Sequence, residues 1–167
     1  MLQLIARGAA VCFVSRGYHK SPQVTTIIII IMAAVNDFKT NIDNACRAGE
    51  EFSKVFYETF DKRRHVLNKL YLDTANLVWN GNVVKGPQEI TKFHDNLPHS
   101  EHTLITLDCQ PLPDEATQGQ ATVLVTTSGT VTFEGNNRMK FTQNFTLTNQ
   151  GNVWKVASDC FRCQEEE

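Results

Sequence analysis

The 167-residue chain lacks the roughly 20 consecutive apolar residues that a membrane-spanning helix needs. Its apolar run from Ile27 to Val35 is less than half of that, so no span is expected. It also lacks a cysteine framework: five cysteines, an odd number without a repeated spacing, do not form a secreted disulfide set and fit a reducing cytosol or nucleus better. A general basic surplus is absent as well. All 18 Asp and Glu, and all but Arg7, Arg16 and Lys20 of the 16 Lys and Arg, fall after residue 31. The body of the chain is therefore mildly acidic, and direct RNA or DNA binding would need a local basic patch, for which Lys62-Arg63-Arg64-His65 is the sole candidate. On charge patterning alone, that cluster reads as a solvated helix face.

What remains is a composition ordinary for a globular domain, 41% hydrophobic and 20% charged, behind an unusual beginning. Residues 1–31 carry no acid and end in Ile27 to Ile31. A mitochondrial presequence has this acid-poor, Arg-containing character, with Arg16-Gly17-Tyr18 suited to processing. Alternatively, Met32 is the usual start and the preceding residues are an extension, because helical periodicity begins just after it. The expectation adopted is a non-conforming extension over 1–31, disordered or absent from the main product, ahead of one domain over 32–167.

From Asn36, taken as an N-cap with Asp37 in the first turn, Phe38, Ile42, Ala45, Phe52, Val55, Phe56 and Phe60 recur at helical spacing. A shorter helical pattern from about Lys62 to Tyr71 puts Val66, Leu67, Leu70 and Tyr71 on one face and leaves Lys62, Arg63 and Lys69 for water. "NLVWNGNVVKG" reads as two strands joined by an Asn80-Gly81 turn, since a two-residue hairpin needs positive φ. Pro87 then opens a helix along Ile90, Phe93 and Leu97, which Pro98 stops. Four Thr-, Val- and Phe-rich strands follow, in "HTLITLDCQPL", "QATVLVTTSGTVTFEG", "MKFTQNFTLTNQ" and "NVWKVASDCFRC". Helices first and a strand meander after them predict an α+β fold, with helices on one face of an antiparallel sheet.

Alternation separates the two sheet faces. Phe141, Gln143, Phe145 and Leu147 take the core side, as do Ala121, Val123 and Val125, whereas Leu124, Thr126, Thr142, Asn144 and Thr146 point the other way. This second face is weakly polar and nearly uncharged. A partner-binding sheet has that character, and so does an ordinary Thr-rich surface.

"DFKTNIDNACRAGEEFSKVFYETFDKRR", "LYLDTANLVWNGN", "LDCQPLPDEATQGQATVLVTTSGTVTFEGN", "FTQNFTLT" and "VWKVASDCFR" together resemble the nuclear-transport-factor-related export proteins, over about residues 36–164. The resemblance implies the nuclear transport factor two-like cone, a curved antiparallel sheet around three helices with a hollow interior. It further implies a non-enzymatic subunit that pairs, sheet face to sheet face, with the related domain of the large messenger RNA export receptor. Through that heterodimer it would support contact with phenylalanine-glycine repeats of the nuclear pore, shuttling between nucleus and cytoplasm. No cofactor, metal, membrane or direct nucleic acid contact is implied.

Arg162 in "DCFR" resembles the family arginine that pairs with an acidic residue of the partner. Ser158 and Cys160 share its face by alternation, and Asn144, Thr146, Leu124 and Thr126 match partner-facing positions of the neighbouring strands. Family members continue "DCFRFQDW", whereas this chain has Cys163 and then Glu165-Glu166-Glu167. Cys160 and Cys163 form a CxxC, but residues three apart in a strand point to opposite faces, so neither a redox pair nor half a zinc site is expected.

Two other functions use the same architecture. An isomerase or dehydratase would place an acid or base in the hollow, for which Tyr57, Tyr71, His102, Asp108 and Asp159 are the polar candidates. Their structural alternatives are tyrosines on helices with wet hydroxyls, an aspartate before a turn and a histidine starting a strand. A homodimeric import factor would instead bind the GDP form of the Ran GTPase, but "DKRR" and "ASDCFR" are of the export type.

Overall fold

The computed structural model describes residues 22–135, 138–151 and 153–165. The presequence features at Arg7 to Tyr18 lie outside these residues. The chain divides into two units, Met1–Asp37 and Phe38–Glu167. In the first, the described backbone is helical from Pro22, and Ile27, Ile30, Ile31, Met32 and Val35 are all exposed.

Helix α1 runs Pro22–Lys62, so the expected start at Asn36 is wrong: Asn36 lies mid-helix and is no N-cap. The reason is local. Pro22 has the fixed φ favoured at a first helical position, and no Gly or Pro interrupts Gln23 to Ala48. A 3-10 helix over Arg64–Leu70 follows, then strands β1 (Tyr71–Trp79) and β2 (Asn82–Lys85). Asn80 and Gly81 turn between them with φ of 48° and 90°, as the hairpin signal requires. Helix α2 spans Pro87–Asp95. Strand β3 is Ser100–Pro111, α3 a single exposed turn at Asp114–Thr117, β4 Thr122–Phe133, β5 Arg138–Gln150 and β6 Val153–Glu165.

The six strands lie in the order β2-β1-β6-β5-β4-β3. The expected antiparallel sheet needs one correction, because β1 and β6 pair in parallel, from Tyr71 opposite Val156 to Trp79 opposite Phe161. The sheet is mixed for a topological reason. After the β1–β2 hairpin, α2 carries the chain to β3 at the far edge, and the meander β3 to β6 returns to the free side of β1 running in its direction.

Aromatic packing between α1 and the sheet makes the core. Phe56 meets Phe145 at 4.7 Å between ring centroids, Phe52 meets Phe145 at 5.2 Å, and Trp79 stacks on Phe161 at 3.8 Å. Each fully buried side chain of this size contributes about 1.5–3 kcal/mol, so this cluster dominates the stability of the second unit. Two expected core residues of α1 are exposed, and Ile42 is only half-buried. Phe38 is 65% exposed and Val55 49%, the former lining a cleft with Ile42, Cys109, Gln110 and Pro111 where β3 ends. Ala121, assigned to the core by parity, is exposed just ahead of β4, while Val123 and Val125 are buried as expected.

The basic cluster also divides. Lys62, Arg63 and His65 are exposed, but Arg64 turns inward. Its guanidinium donates to Phe60 O (2.9 Å), Leu97 O (2.8 Å), His94 O (3.2 Å) and Ser100 Oγ (2.7 Å), tying the end of α1 to α2 and β3. Five fixed donors suit Arg to such a junction better than Lys.

Candidate functional site: the outer sheet face

Strand register assembles the predicted residues into one patch. Leu124 stands opposite Thr146 and Thr146 opposite Ser158; one step along, Thr126 stands opposite Asn144 and Asn144 opposite Cys160. In the next row Ser128, Thr142 and Arg162 are aligned. Ser158, Cys160 and Arg162 are exposed and Leu124, Thr126, Asn144 and Thr146 half-buried, so all seven predicted residues occupy the face away from the core. The centre of this patch has no charged side chain.

Its polar groups are partly satisfied within the face. The Thr126 hydroxyl donates to Asn144 Oδ1 at 2.9 Å, and the Thr106 and Ser128 hydroxyls lie 2.7 Å apart. Such internal bonds reduce the desolvation cost of covering the patch, because a polar group that already has a partner loses less when water is removed. Arg162 differs: it is exposed and has no hydrogen bond or ion pair to a side chain among the described residues.

The parallel pairing extends the face to residues that sequence reasoning missed. Asn76 stands opposite Ser158 and Val78 opposite Cys160, while β2 adds Lys85 beside Asn76 and Val83 beside Val78. Val83 is 62% exposed. Alternation within "NLVW" and "NVVK" carries the face assignment of each residue, but no local signal reveals that β1 neighbours β6.

The enzyme candidates occupy other places. Asp159 is fully buried between Ser158 and Cys160, with its carboxylate taking the Tyr71 hydroxyl at 2.7 Å and the Gln143 amide at 2.8 Å. The Tyr57 hydroxyl in turn donates to Gln143 Oε1 at 2.8 Å and lies 2.7 Å from Thr127 Oγ1. Burial pushes the Asp159 carboxyl up to about 7, against the opposing effect of its Gln143 and Tyr71 bonds. Burial likewise raises both phenols, Tyr71 the more closely coupled to Asp159. Neither tyrosine has the wet hydroxyl expected for it, and Tyr71 begins a strand rather than a helix. Asp108 is exposed within β3, not ahead of a turn. His102, near the start of β3 as expected, has its ring buried with Nδ1 2.7 Å from Asp61 Oδ1, and Asp61 also accepts from Ser100. The His102 contact and the hydrogen bonds to Ser100 and the His102 N–H hold Asp61 below the usual carboxylate range, despite the larger opposing effect of burial. Apart from the exposed Asp108, these candidates are polar groups held inside the packing, with Asp159, Tyr71, Gln143 and Tyr57 joined in one buried hydrogen-bond network.

The CxxC separates as alternation requires. Cys160 is exposed on the outer face, whereas Cys163 packs beside the core, and both are free thiols. Among the described residues no group of His, Cys, Asp and Glu is arranged to hold a metal ion, and no helix is long and apolar enough to cross a membrane.

Comparison with known proteins agrees with this architecture. The nuclear transport factor 2 (NTF2) domain matches residues 48–163. NTF2-related export protein 2 of Bos taurus is 56% identical over 138 residues, covering 80% of this chain and 97% of that protein. Among solved structures, nuclear transport factor 2 from Cryptosporidium parvum superposes with a TM-score of 0.62 at 26% identity, over 71% of this chain and 93% of that one. The Candida albicans Mtr2–Mex67 M domain complex contains a chain of the same fold, with a TM-score of 0.61 at 14% identity, covering 73% of this chain and 95% of that one. With the α+β architecture and the register described above, these matches place the chain in the NTF2 family, among its NTF2-related export proteins.

Proposed function

We propose that this chain is a non-catalytic subunit that pairs, through the outer face of β4, β5 and β6, with the related domain of the large messenger RNA export receptor. The observation that carries the proposal is the uncharged patch of Leu124, Thr126, Asn144, Thr146, Ser158 and Cys160 with Arg162, which has no ion-pair partner among the described residues, at its border. A nearly charge-free centre loses little on desolvation, and a single free guanidinium beside it suits a carboxylate on the partner. The names of the similar export proteins point the same way. In this role the heterodimer engages phenylalanine-glycine repeats and shuttles between nucleus and cytoplasm, with RNA carried by the large subunit. Residues 1–31 are an extension to a domain over 32–167.

Calorimetry with the partner domain tests the proposal. Arg162→Glu is expected to weaken pairing by about 2–5 kcal/mol, because it places like charges against each other at a partly desolvated contact. Unchanged affinity would remove Arg162 from the interface. Recovery of a stable homodimer that captures the GDP form of Ran, and not the export receptor, would sink the heterodimer itself. The buried Asp159 network is assigned to packing; turnover of an enolisable ketone that is lost in Asp159→Asn would overturn that assignment.

A further inference from the structure

The turn that the sequence marks as Asn80-Gly81 does more than reverse the chain. Strand β1 covers β6 only as far as Trp79 opposite Phe161, and beyond that point the chain turns away into β2. Strand β6 continues to Glu165, so from Arg162 onward its edge toward β1 has no strand beside it among the described residues. Along a strand, backbone groups alternate between the two edges. On either side of Arg162, the carbonyl of Phe161 and the N–H of Cys163 face the vacated side.

Asn80 takes up both. Its backbone N–H donates to Phe161 O at 2.9 Å, and its side-chain Oδ1 accepts the Cys163 N–H, also at 2.9 Å. The same amide, through Nδ2, donates to Cys163 Sγ at 3.2 Å. A single residue thus continues the ladder past the end of β1 and brackets Arg162 in sequence, holding the residue before it and the residue after it. Its φ of 48° is one that Asn tolerates well among side-chain-bearing residues.

We infer that Asn80 is a positioning residue for partner binding, fixing the backbone on either side of Arg162 so that the guanidinium leaves the sheet in one direction. The inference rests on the heterodimer proposed above. It also assigns a role to Cys163, the departure from the family's phenylalanine: its small side chain lets the Asn80 amide reach the strand and offers sulfur as an acceptor for Nδ2. Preorganisation of this kind acts on affinity by removing an ordering cost at binding, without a new contact to the partner.

The test uses the full chain and the partner domain. Asn80→Gly keeps the positive φ of the turn and deletes the amide; Asn80→Asp keeps the Oδ1 acceptor and loses the Nδ2 donor. Amide hydrogen exchange at Cys163 in the free protein is expected to accelerate about tenfold or more in Asn80→Gly and to stay slow in Asn80→Asp. Pairing is expected to weaken about fivefold in Asn80→Gly, with recovery in Asn80→Asp. In an Arg162→Ala background Asn80→Gly should have no further effect, because there is no guanidinium left to aim. Equal losses with and without Arg162 would show a merely structural turn and overturn the inference, as would unchanged exchange at Cys163. If the unaltered chain does not bind the partner domain, the heterodimer fails, and exchange at Cys163 still decides whether Asn80 holds β6.

Discussion

At the scale of residues, two buried titratable groups oppose each other. His94 is fully buried against Phe60, Trp79 and Phe93, and neither ring nitrogen has a hydrogen-bond partner among the described residues. Burial lowers it to about 3, with Arg64 and His102 adding repulsion, so the folded chain keeps it neutral while the unfolded chain protonates near 6.5. Between these values the unfolded state binds the extra proton, and stability rises with pH. Asp159 has the contrary sign: it is protonated in the fold up to about 7, while the unfolded carboxyl ionises near about 4. There the folded state holds the extra proton, so stability is greatest below the unfolded value and falls as pH rises toward 7. The slopes, each up to about 1.4 kcal/mol per pH unit, cancel over much of the interval. Urea unfolding from pH 4.5 to 6.5 should therefore give a flat profile. Asn in place of Asp159 is expected to tilt it upward with pH, and His94→Phe to tilt it downward. Parallel profiles for both variants would contradict the assignment.

At the scale of elements, most boundaries were legible because each depends on a short-range signal. The period of Phe52, Phe56 and Phe60 marks α1, Asn80-Gly81 the hairpin, Pro87 the start of α2, and alternation through Phe141 to Leu147 the inner side of β5. The start of α1 was misplaced because Asn36 is a good cap only if the chain before it is not helical. Two element junctions depend on contacts that no local pattern announces. At the β3 bulge between Leu104 and Thr106, a Cβ on Gly129 would collide with the Thr103 carbonyl oxygen, and backbone cannot yield as a side-chain end does. Gly129→Ala should cost about 1–3 kcal/mol in thermal unfolding. Arg64→Ala removes the donors that join α1, α2 and β3, with an expected loss of about 2–4 kcal/mol. Arg64→Lys should not restore it, since one ammonium cannot span the same acceptors.

At the scale of the whole molecule, the buried core cluster lies within the second unit, and Ile27, Ile30 and Ile31 of the first are exposed. Removal of residues 1–31 is expected to leave unfolding free energy within about 0.5 kcal/mol. Self-association in light scattering should fall, because exposed Ile27, Ile30 and Ile31 go with the segment. A clear loss of stability would place the extension inside the domain. The candidate face was half legible in the sequence. Alternation assigned Leu124, Thr126, Asn144, Thr146, Ser158, Cys160 and Arg162 to one side, whereas Asn76, Val78, Val83 and Lys85 join them only through the β1–β6 register.

The sequence by itself determined which stretches become helix or strand and which way each strand residue points, because those follow from periods of 3.6 and 2 and from turn chemistry. Motif resemblance added the family. Only the tertiary structure decided what stands beside what: that β6 runs parallel to β1, that Arg64 points inward while its neighbours face water, that Phe56 of α1 packs on Phe145 of β5, and that Asn80 closes the edge of β6 around Arg162. Such pairings join residues tens of positions apart. They are selected by the shared burial of aromatic side chains and by the need of each backbone group for a partner, which act on the assembled molecule and leave no local pattern to read.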